Sequence, residues 1–297
     1  CVIGGCNIDF IAKSFEKINM KDSNPGTLEY SFGGVGKNIA ENLLKMGIEN
    51  KFISVFGDDV YSREIKDYLK KIGLDFSNSK FLTNRGMSNY ISILDENNDL
   101  FTAISSMEVL DEINIEFISK LIDLIKSYKY IVMDTNLRED VLEYICKNCP
   151  NSKIIVDCVS RKKALKIKKL LKYIYLLKPN IYEAEELTDI PYENESDLEK
   201  IVNVFLEKGV QKIFISMGEK GILYADKNEN GIVKITEKPK IENTSGCGDS
   251  AMSGIIFGVV NEKDILECAK LGNIAGFITA QSMDTVSKDI SEKNLLN

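Results

Sequence analysis

A chain of 297 residues, 44% apolar and 28% charged, is long enough to bury a sizeable core and excludes a disordered or collagen-like protein. Its 38 basic and 45 acidic side chains leave a net charge of -7, with arginine only at Arg63, Arg85, Arg138 and Arg161, which excludes a nucleic-acid partner needing a basic field and arginine forks. With no histidine, Ser-His-Asp and Cys-His nucleophiles, the HExxH zinc site and the non-haem iron triad are all excluded, and proton transfer falls to a carboxylate, lysine, cysteine or tyrosine.

The chain opens on Cys1-Val2-Ile3-Gly4-Gly5 with neither an initiator methionine nor a basic n-region. It is expected to be a native chain short of a few leading residues, not a secreted precursor. Strands are predicted at Val2–Gly4, Phe52–Phe56, Tyr130–Met133, Ile154–Val156, Ile174–Leu177 and Ile213–Ser216, each a continuous apolar run suited to burial on both faces. Helical stripes alternate with them: Tyr61, Ile65, Tyr68 and Ile72; Ile115, Ile118, Ile122 and Ile125; Leu198, Ile201, Val202 and Phe205, the last behind a capping box Ser196-x-x-Glu199. This alternation predicts an α/β protein with a parallel sheet. Phe10 to Phe32 and Met87 to Ile104 interrupt it as strands without a helix between them, the second folding at Asp95-Glu96-Asn97-Asn98-Asp99. They are expected to form a small separate sheet, over about 10–32 and 87–104, that lies as a lid on one domain spanning 1–297. Cys146-x-x-Cys149-Pro150 ends a helical pattern without a second pair, and seven cysteines, an odd number, fit reduced thiols in a cytoplasm. The densest apolar window, Ile255 to Val260, is broken by Gly258 and falls far short of the ~18 residues of a membrane span, so no membrane partner is expected.

Four segments carry candidate chemistry. Phe32-Gly33-Gly34-Val35-Gly36-Lys37-Asn38 is a glycine loop entering a helix; it is neither GxGxxG nor a Walker A loop, and it lets a ligand approach the backbone at Gly33 and Gly34 beside Asn38, unless it is a plain tight turn. In Lys178-Pro179-Asn180-Ile181-Tyr182-Glu183, Pro179 is expected to start a helix on which Asn180 and Glu183 share one face, either as caps or facing a hydrated cation and its phosphates. Ser216-Met217-Gly218-Glu219-Lys220-Gly221 follows a strand and offers backbone to a nucleotide. Asn243-Thr244-Ser245-Gly246-Cys247-Gly248-Asp249 feeds a small-residue helix, whose free N–H groups and dipole suit phosphate, with Asp249 as a proton acceptor or merely a helix cap.

Taken in order, Gly33-Gly34…Asn38, Asn180-x-x-Glu183 and Thr244-x-Gly246-x-Gly248-Asp249 resemble the ribokinase-like (PfkB) carbohydrate kinases over nearly the whole chain. The resemblance implies a mostly parallel central sheet flanked by helices with a β lid, Asp249 as catalytic base, and Gly246, Cys247 and Gly248 as an anion hole. It places ATP against Asn180, Ser216, Gly218, Gly221, Thr244, Gly246, Gly248 and Asn273, with Mg²⁺ held through water by Glu183. The acceptor would meet Asp9, Gly33, Gly34 and Asn38, and the lid edges would pair two copies into a homodimer. A finer resemblance, to the pseudouridine-kinase branch, rests on Asp22-Ser23-Asn24-Pro25-Gly26, Lys37-Asn38-Ile39-Ala40-Glu41-Asn42, Val156-Asp157-Cys158-Val159-Ser160 and Leu177-Lys178-Pro179-Asn180. It implies transfer to the 5′-hydroxyl of pseudouridine, with Ser23, Asn24 and Lys163 at the nucleoside, and Asp134-Thr135-Asn136, ending a strand at the same sheet edge, offers Asn136 as a further polar contact there. Ribose, adenosine or a fructose phosphate as acceptor, and a non-catalytic nucleoside-binding member, are the alternatives. Three positions depart from the pattern: Cys247 stands for the usual alanine, Lys37 for an arginine, and Asn243 for the aspartate of potassium-dependent relatives, which puts a monovalent cation in doubt.

Overall fold

Along each apolar strand, successive side chains point to opposite faces, so a run with no polar alternation must be covered on both sides. The computed structural model, which describes residues 1–235 and 240–296, has this arrangement. Strand β1 (Val2–Ile3) leads into β2 (Asn7–Ser14) and β3 (Gly26–Gly33), then α1 (Val35–Lys45), β4 (Phe52–Ile53), β5 (Val55–Phe56), α2 (Val60–Ile72) and β6 (Lys80–Phe81). There follow β7 (Ser88–Leu94), β8 (Leu100–Ser106), α3 (Ile115–Ile125), β9 (Tyr130–Asp134), α4 (Glu139–Asn148), β10 (Lys153–Asp157) and α5 (Arg161–Ala164). The last third holds β11 (Ile174–Lys178), α6 (Ile181–Thr188), α7 (Glu195–Glu207), β12 (Lys212–Ser216), β13 (Ile222–Asp226), β14 (Asn230–Val233), α8 (Cys247–Val260), α9 (Ile265–Ala280) and α10 (Glu292–Leu296).

Among the described residues the main sheet runs β14-β13-β12-β11-β10-β9-β1-β4. It is parallel from β4 to β12, with β13 and β14 antiparallel at one edge. Ile3, Met133, Val156, Leu177 and Ile213 face α3, α4 and α7 through Ile118, Val141 and Phe205. Their strand neighbours Val2, Val132, Ile155, Leu176 and Phe214 face α1, α2 and α8 through Ile39, Leu69 and Met252. Each such side chain contributes about 2 kcal/mol on burial, so the alternation commits every strand to both layers. The helices that carry the glycine loops, α1 and α8, therefore lie on the same face.

The predicted lid is a second sheet, β3-β2-β7-β8. Only Gly4, Gly5 and Cys6 separate β1 from β2, so the lid grows straight out of the main sheet. One lid face rests on α2: Phe10 meets Tyr61 edge-on at 5.2 Å between ring centroids, and Phe32 meets Tyr68 at 5.3 Å. Asp9, Ser31 and Tyr90, paired across β2, β3 and β7, share the opposite face.

Several sequence expectations are corrected. Phe52–Phe56 is two strands, because buried Ser54 donates to the Gly4 carbonyl at 2.7 Å and turns the chain so that β5 pairs with β6 instead. Pro179 precedes the first turn of α6 and Asn180 caps it. The cap of α7 is not Ser196 with Glu199: Asn194 Oδ1 accepts from Ser196 N at 3.0 Å, and Asp197 Oδ2 accepts from Asn194 N at 3.2 Å. Asn194→Ala is expected to cost about 1 kcal/mol in urea unfolding, and Glu199→Ala less than half of that. The β13–β14 hairpin and α9 went unpredicted. Cys146 and Cys149 are buried free thiols, Cys146 pushed up to about 12 by burial and then by Cys149, so neither is a ready nucleophile. Among the described residues no helix is long and apolar enough to cross a membrane.

Candidate active site

The carboxyl ends of the parallel strands carry a polar row: Asp134 on β9, Asp157 on β10, Lys178 on β11 and Ser216 on β12. Asp157 lies in register with both Asp134 and Lys178. In an open α/β sheet this edge is where ligands bind. The N-termini of α1 and α8 descend onto it.

Gly246 caps α8 at φ 79°, and a Cβ there would collide with the Thr285 carbonyl oxygen, so the turn requires glycine. The first turn of α8 then presents Cys247, Gly248 and Asp249. Asn38 Nδ2 donates to Asp249 Oδ2 at 2.7 Å, joining the two glycine loops, while the buried Asn38 Oδ1 has no donor among the described residues. One step deeper Asn42 Nδ2 donates to Ser250 Oγ at 3.1 Å and Thr279 Oγ1 donates to it at 2.6 Å, tying α1, α8 and α9 beneath the loop. Burial, then the Asp157 charge, pushes the Asp249 carboxyl up to about 7 against the pull of Asn38 and Lys178. As a residue Asp249 is only partly buried. This is a carboxylate poised to exchange a proton near neutrality. Lys178, buried and 3.2 Å from Asp157 Oδ2, supplies the local cation. Burial by itself lowers its pKa, but Asp157, Glu183 and Asp249 together hold it above its ordinary value. Its Nζ would lie 3.8 Å from a Cβ on Gly248, which puts the charge at the first turn of α8.

At the root of the lid, Asp9 lies across Gly33, where any Cβ would strike its carboxylate. Burial pushes Asp9 up to about 6, against the Asn7 hydrogen bond and the Lys37 charge. A cavity of about 680 Å³ opens beyond it, between Ile11 and Tyr90 of the lid, Lys37 and Tyr68 of the core, and Thr285. Lys37 itself is buried and bonded to Glu41 at 3.1 Å. Gly34, at φ 103°, crosses against the Gly5 carbonyl. Lys163 Nζ donates to Asn136 Oδ1 at 2.5 Å, so these two predicted residues act as one unit, the lysine lowered from its ordinary pKa by burial. Ser23 and Asn24 are not drawn in with them. Asn24 accepts from Asn19 N at 2.7 Å and donates back to the Asn19 and Asp22 carbonyls, and Ser23 is exposed beside it.

At the β11–β12 end of the sheet edge, Asn180 bridges to Ser216 across adjacent strand ends. Gly221, at φ 92°, and Asn273 both abut the Val233 carbonyl, which accepts from Asn273 Nδ2 at 2.7 Å. Gly218 is left-handed at φ 60° with open space around it, and Thr244 is exposed at the loop entrance. Asn180 and Glu183 form a reciprocal capping box, Glu183 Oε2 accepting from Asn180 N at 2.8 Å. Among the described residues no cluster of three or more carboxylates or thiols is set to ligate a metal directly. With one Glu183 oxygen used by the box and Asp157 paired with Lys178, the residues fit an ion held through water. The Cys247 thiol is pushed up to about 11 by burial and then by Asp249, and Asn243 is occupied by the Met283 carbonyl and Ser245 N.

Asp157 and Lys178 lie inside the motif segments but had no role assigned from the sequence, and Asp134 entered only with its strand-end neighbours Thr135 and Asn136 as a polar contact. The signal was present: each is a charged residue closing an otherwise apolar strand, where burial is tolerated only with a partner.

The sequence pattern of the pfkB family carbohydrate kinases matches residues 1–292. The pseudouridine kinase of Escherichia coli is 30% identical over 296 residues, covering 100% of this chain and 95% of that protein. The guanosine-inosine kinase of Exiguobacterium acetylicum is 27% identical over 286 residues, covering 91% of this chain and 90% of that protein. Among solved structures, Arabidopsis thaliana ribokinase complexed with ribose and ATP superposes with a TM-score of 0.85 at 18% identity, covering 99% of this chain and 96% of that one, a likeness of fold.

Proposed function

This chain belongs to the pfkB family of carbohydrate kinases, and from that premise we propose that it transfers the γ-phosphoryl group of ATP to the 5′-hydroxyl of pseudouridine. The observation that carries the phosphotransfer reading is the Asn38–Asp249 contact at the first turn of α8, which sets a proton acceptor beside the backbone N–H groups of that turn, the Cys247 N–H held only by a long 3.4 Å contact to the Thr244 carbonyl. In this reading the acceptor oxygen attacks the γ-phosphorus, its proton passes to Asp249, and the bond to the bridging oxygen breaks to release ADP. The N–H groups of Gly246, Cys247 and Gly248 face the transferring charge, with Lys178 below and Lys163 on the acceptor side. Asn180, Ser216, Gly218, Gly221, Thr244 and Asn273 line the ATP side. Glu183 would hold Mg²⁺ through water, whose charge offsets that of the phosphates. Asp9, Gly33, Gly34 and Asn38 hold the ribose, and the lid excludes water.

The choice of pseudouridine rests on the motif resemblance and on the similarity to the Escherichia coli enzyme. The Asn136–Lys163 pair supports it by offering donors to a uracil edge. The Ser23-Asn24 loop would contribute only on lid closure, since Asn24 spends its amide on its own turn. Free cysteines suit a cytoplasmic setting. Exposed Leu100, Phe101 and Ile104 on edge strand β8 suit pairing of two lids, which light scattering would test.

A coupled ADP-release screen over pseudouridine, uridine, guanosine, adenosine, ribose and fructose 6-phosphate tests the reading. Pseudouridine should give the highest kcat/KM. A better acceptor elsewhere in the panel overturns the specificity, and nucleoside binding without turnover of any acceptor overturns the kinase.

A further inference from the structure

Asp134 is buried, lies outside the proposed chemistry, and is bonded wholly to backbone. Its Oδ2 accepts from Gly5 N at 2.7 Å and Gly36 N at 2.8 Å, and its Oδ1 accepts from Asn136 N at 2.9 Å. These three amides belong to the three segments that carry the acceptor groups. Gly5 lies in the link from β1 to lid strand β2, four residues before Asp9. Gly36 is in the first turn of α1, between Gly33-Gly34 and Asn38. Asn136 is the partner of Lys163. The crossing is also packed without slack: a Cβ on Gly4 would run into the Asp134 carboxylate, and one on Gly36 would sit 2.8 Å from the Gly4 backbone.

We propose that Asp134 is the positioning residue of the acceptor site, a single carboxylate that locks the lid root, the α1 glycine loop and the Asn136–Lys163 pair in one fixed arrangement. The proposal rests on the kinase reading for its consequence and on the three hydrogen bonds for its existence. A carboxylate is suited to this because it accepts at both oxygens and donates nothing, whereas an amide of the same shape must turn an NH₂ group toward backbone N–H donors. Asp134 touches no reacting group, so its loss should loosen acceptor binding and spare ATP.

The test is Asp134→Asn, with Gly4→Ala as a second variant that displaces the carboxylate without altering it. Hydrogen exchange of peptides containing Gly5, Gly36 and Asn136 should accelerate about tenfold or more in both. KM for the acceptor should rise about tenfold, with KM for ATP nearly unchanged and the melting midpoint lower by only a few degrees. Unchanged exchange in both variants overturns the clamp, and so does a loss of ATP binding as large as the loss of acceptor binding. Should the wild type phosphorylate no acceptor, the functional reading fails, while the exchange experiment still decides the clamp.

Discussion

Asp249→Asn is expected to lower kcat by about 10³-fold or more with acceptor KM changed little, because the amide keeps the shape and loses the proton acceptor. The pH dependence follows from the same environment. Burial and Asp157 raise the Asp249 pKa to about 7, and only the ionised form can accept the proton. Wild-type kcat/KM should therefore rise with pH through about 7 and level off above it, falling about tenfold for each unit below. The stability sign is opposite. A carboxyl whose folded-state pKa is raised binds its proton more tightly folded than unfolded, so its contribution to stability is present below the ordinary carboxylate range and is lost as pH climbs to about 7. At pH 8 the Asp249→Asn protein should melt no lower than the wild type. Retained turnover, or a pH profile flat from 5 to 8, would sink the assignment of Asp249.

Gly246→Ala is expected to lower kcat/KM for ATP by about 100-fold. Two effects coincide there: a left-handed φ of 79°, and a Cβ aimed into the Thr285 carbonyl. Relief requires the loop to move, which on the proposed reading would turn the Gly248 N–H, and the weakly bonded Cys247 N–H, away from the ATP phosphates. Gly218→Ala is the internal comparison. It is also left-handed, at φ 60°, but its Cβ would meet nothing, so only the conformational cost of about 1 kcal/mol applies. Steady-state kinetics on the two variants separates a steric requirement from a merely conformational one; equal, small effects in both would show that the Gly246 loop does not depend on its shape.

Much of the site could be read as local chemistry. The Gly246–Asp249 loop, the Gly33-Gly34 loop and Asn180-x-x-Glu183 are contiguous, and the residues that shape each turn lie within it. The same holds for the lid, whose strands follow one another without a helix. The cap of α7 was misplaced because Ser196-x-x-Glu199 and Asn194-x-x-Asp197 satisfy similar rules two residues apart, and only the backbone direction entering the helix chooses between them. Phe52–Phe56 looked continuous because nothing in its apolarity reveals that Ser54 bonds across to Gly4.

From the order of residues alone come the α/β class, the lid, the family resemblance and the exclusion of histidine chemistry, since each depends on periodicity, composition or a short motif. The partnerships belong to the tertiary structure. Asn38 and Asp249 are far apart in the chain and meet only because α1 and α8 pack on one face of the sheet. Asp134, Asp157 and Lys178 become neighbours only when β9, β10 and β11 align in parallel register. The pKa of Asp249 depends on burial and on a charge from another strand, and the role of Asp134 depends on which backbone amides converge on it. Electrostatics and hydrogen bonding act through space, so a motif identifies the groups, while the fold settles which of them face one another and in what protonation state.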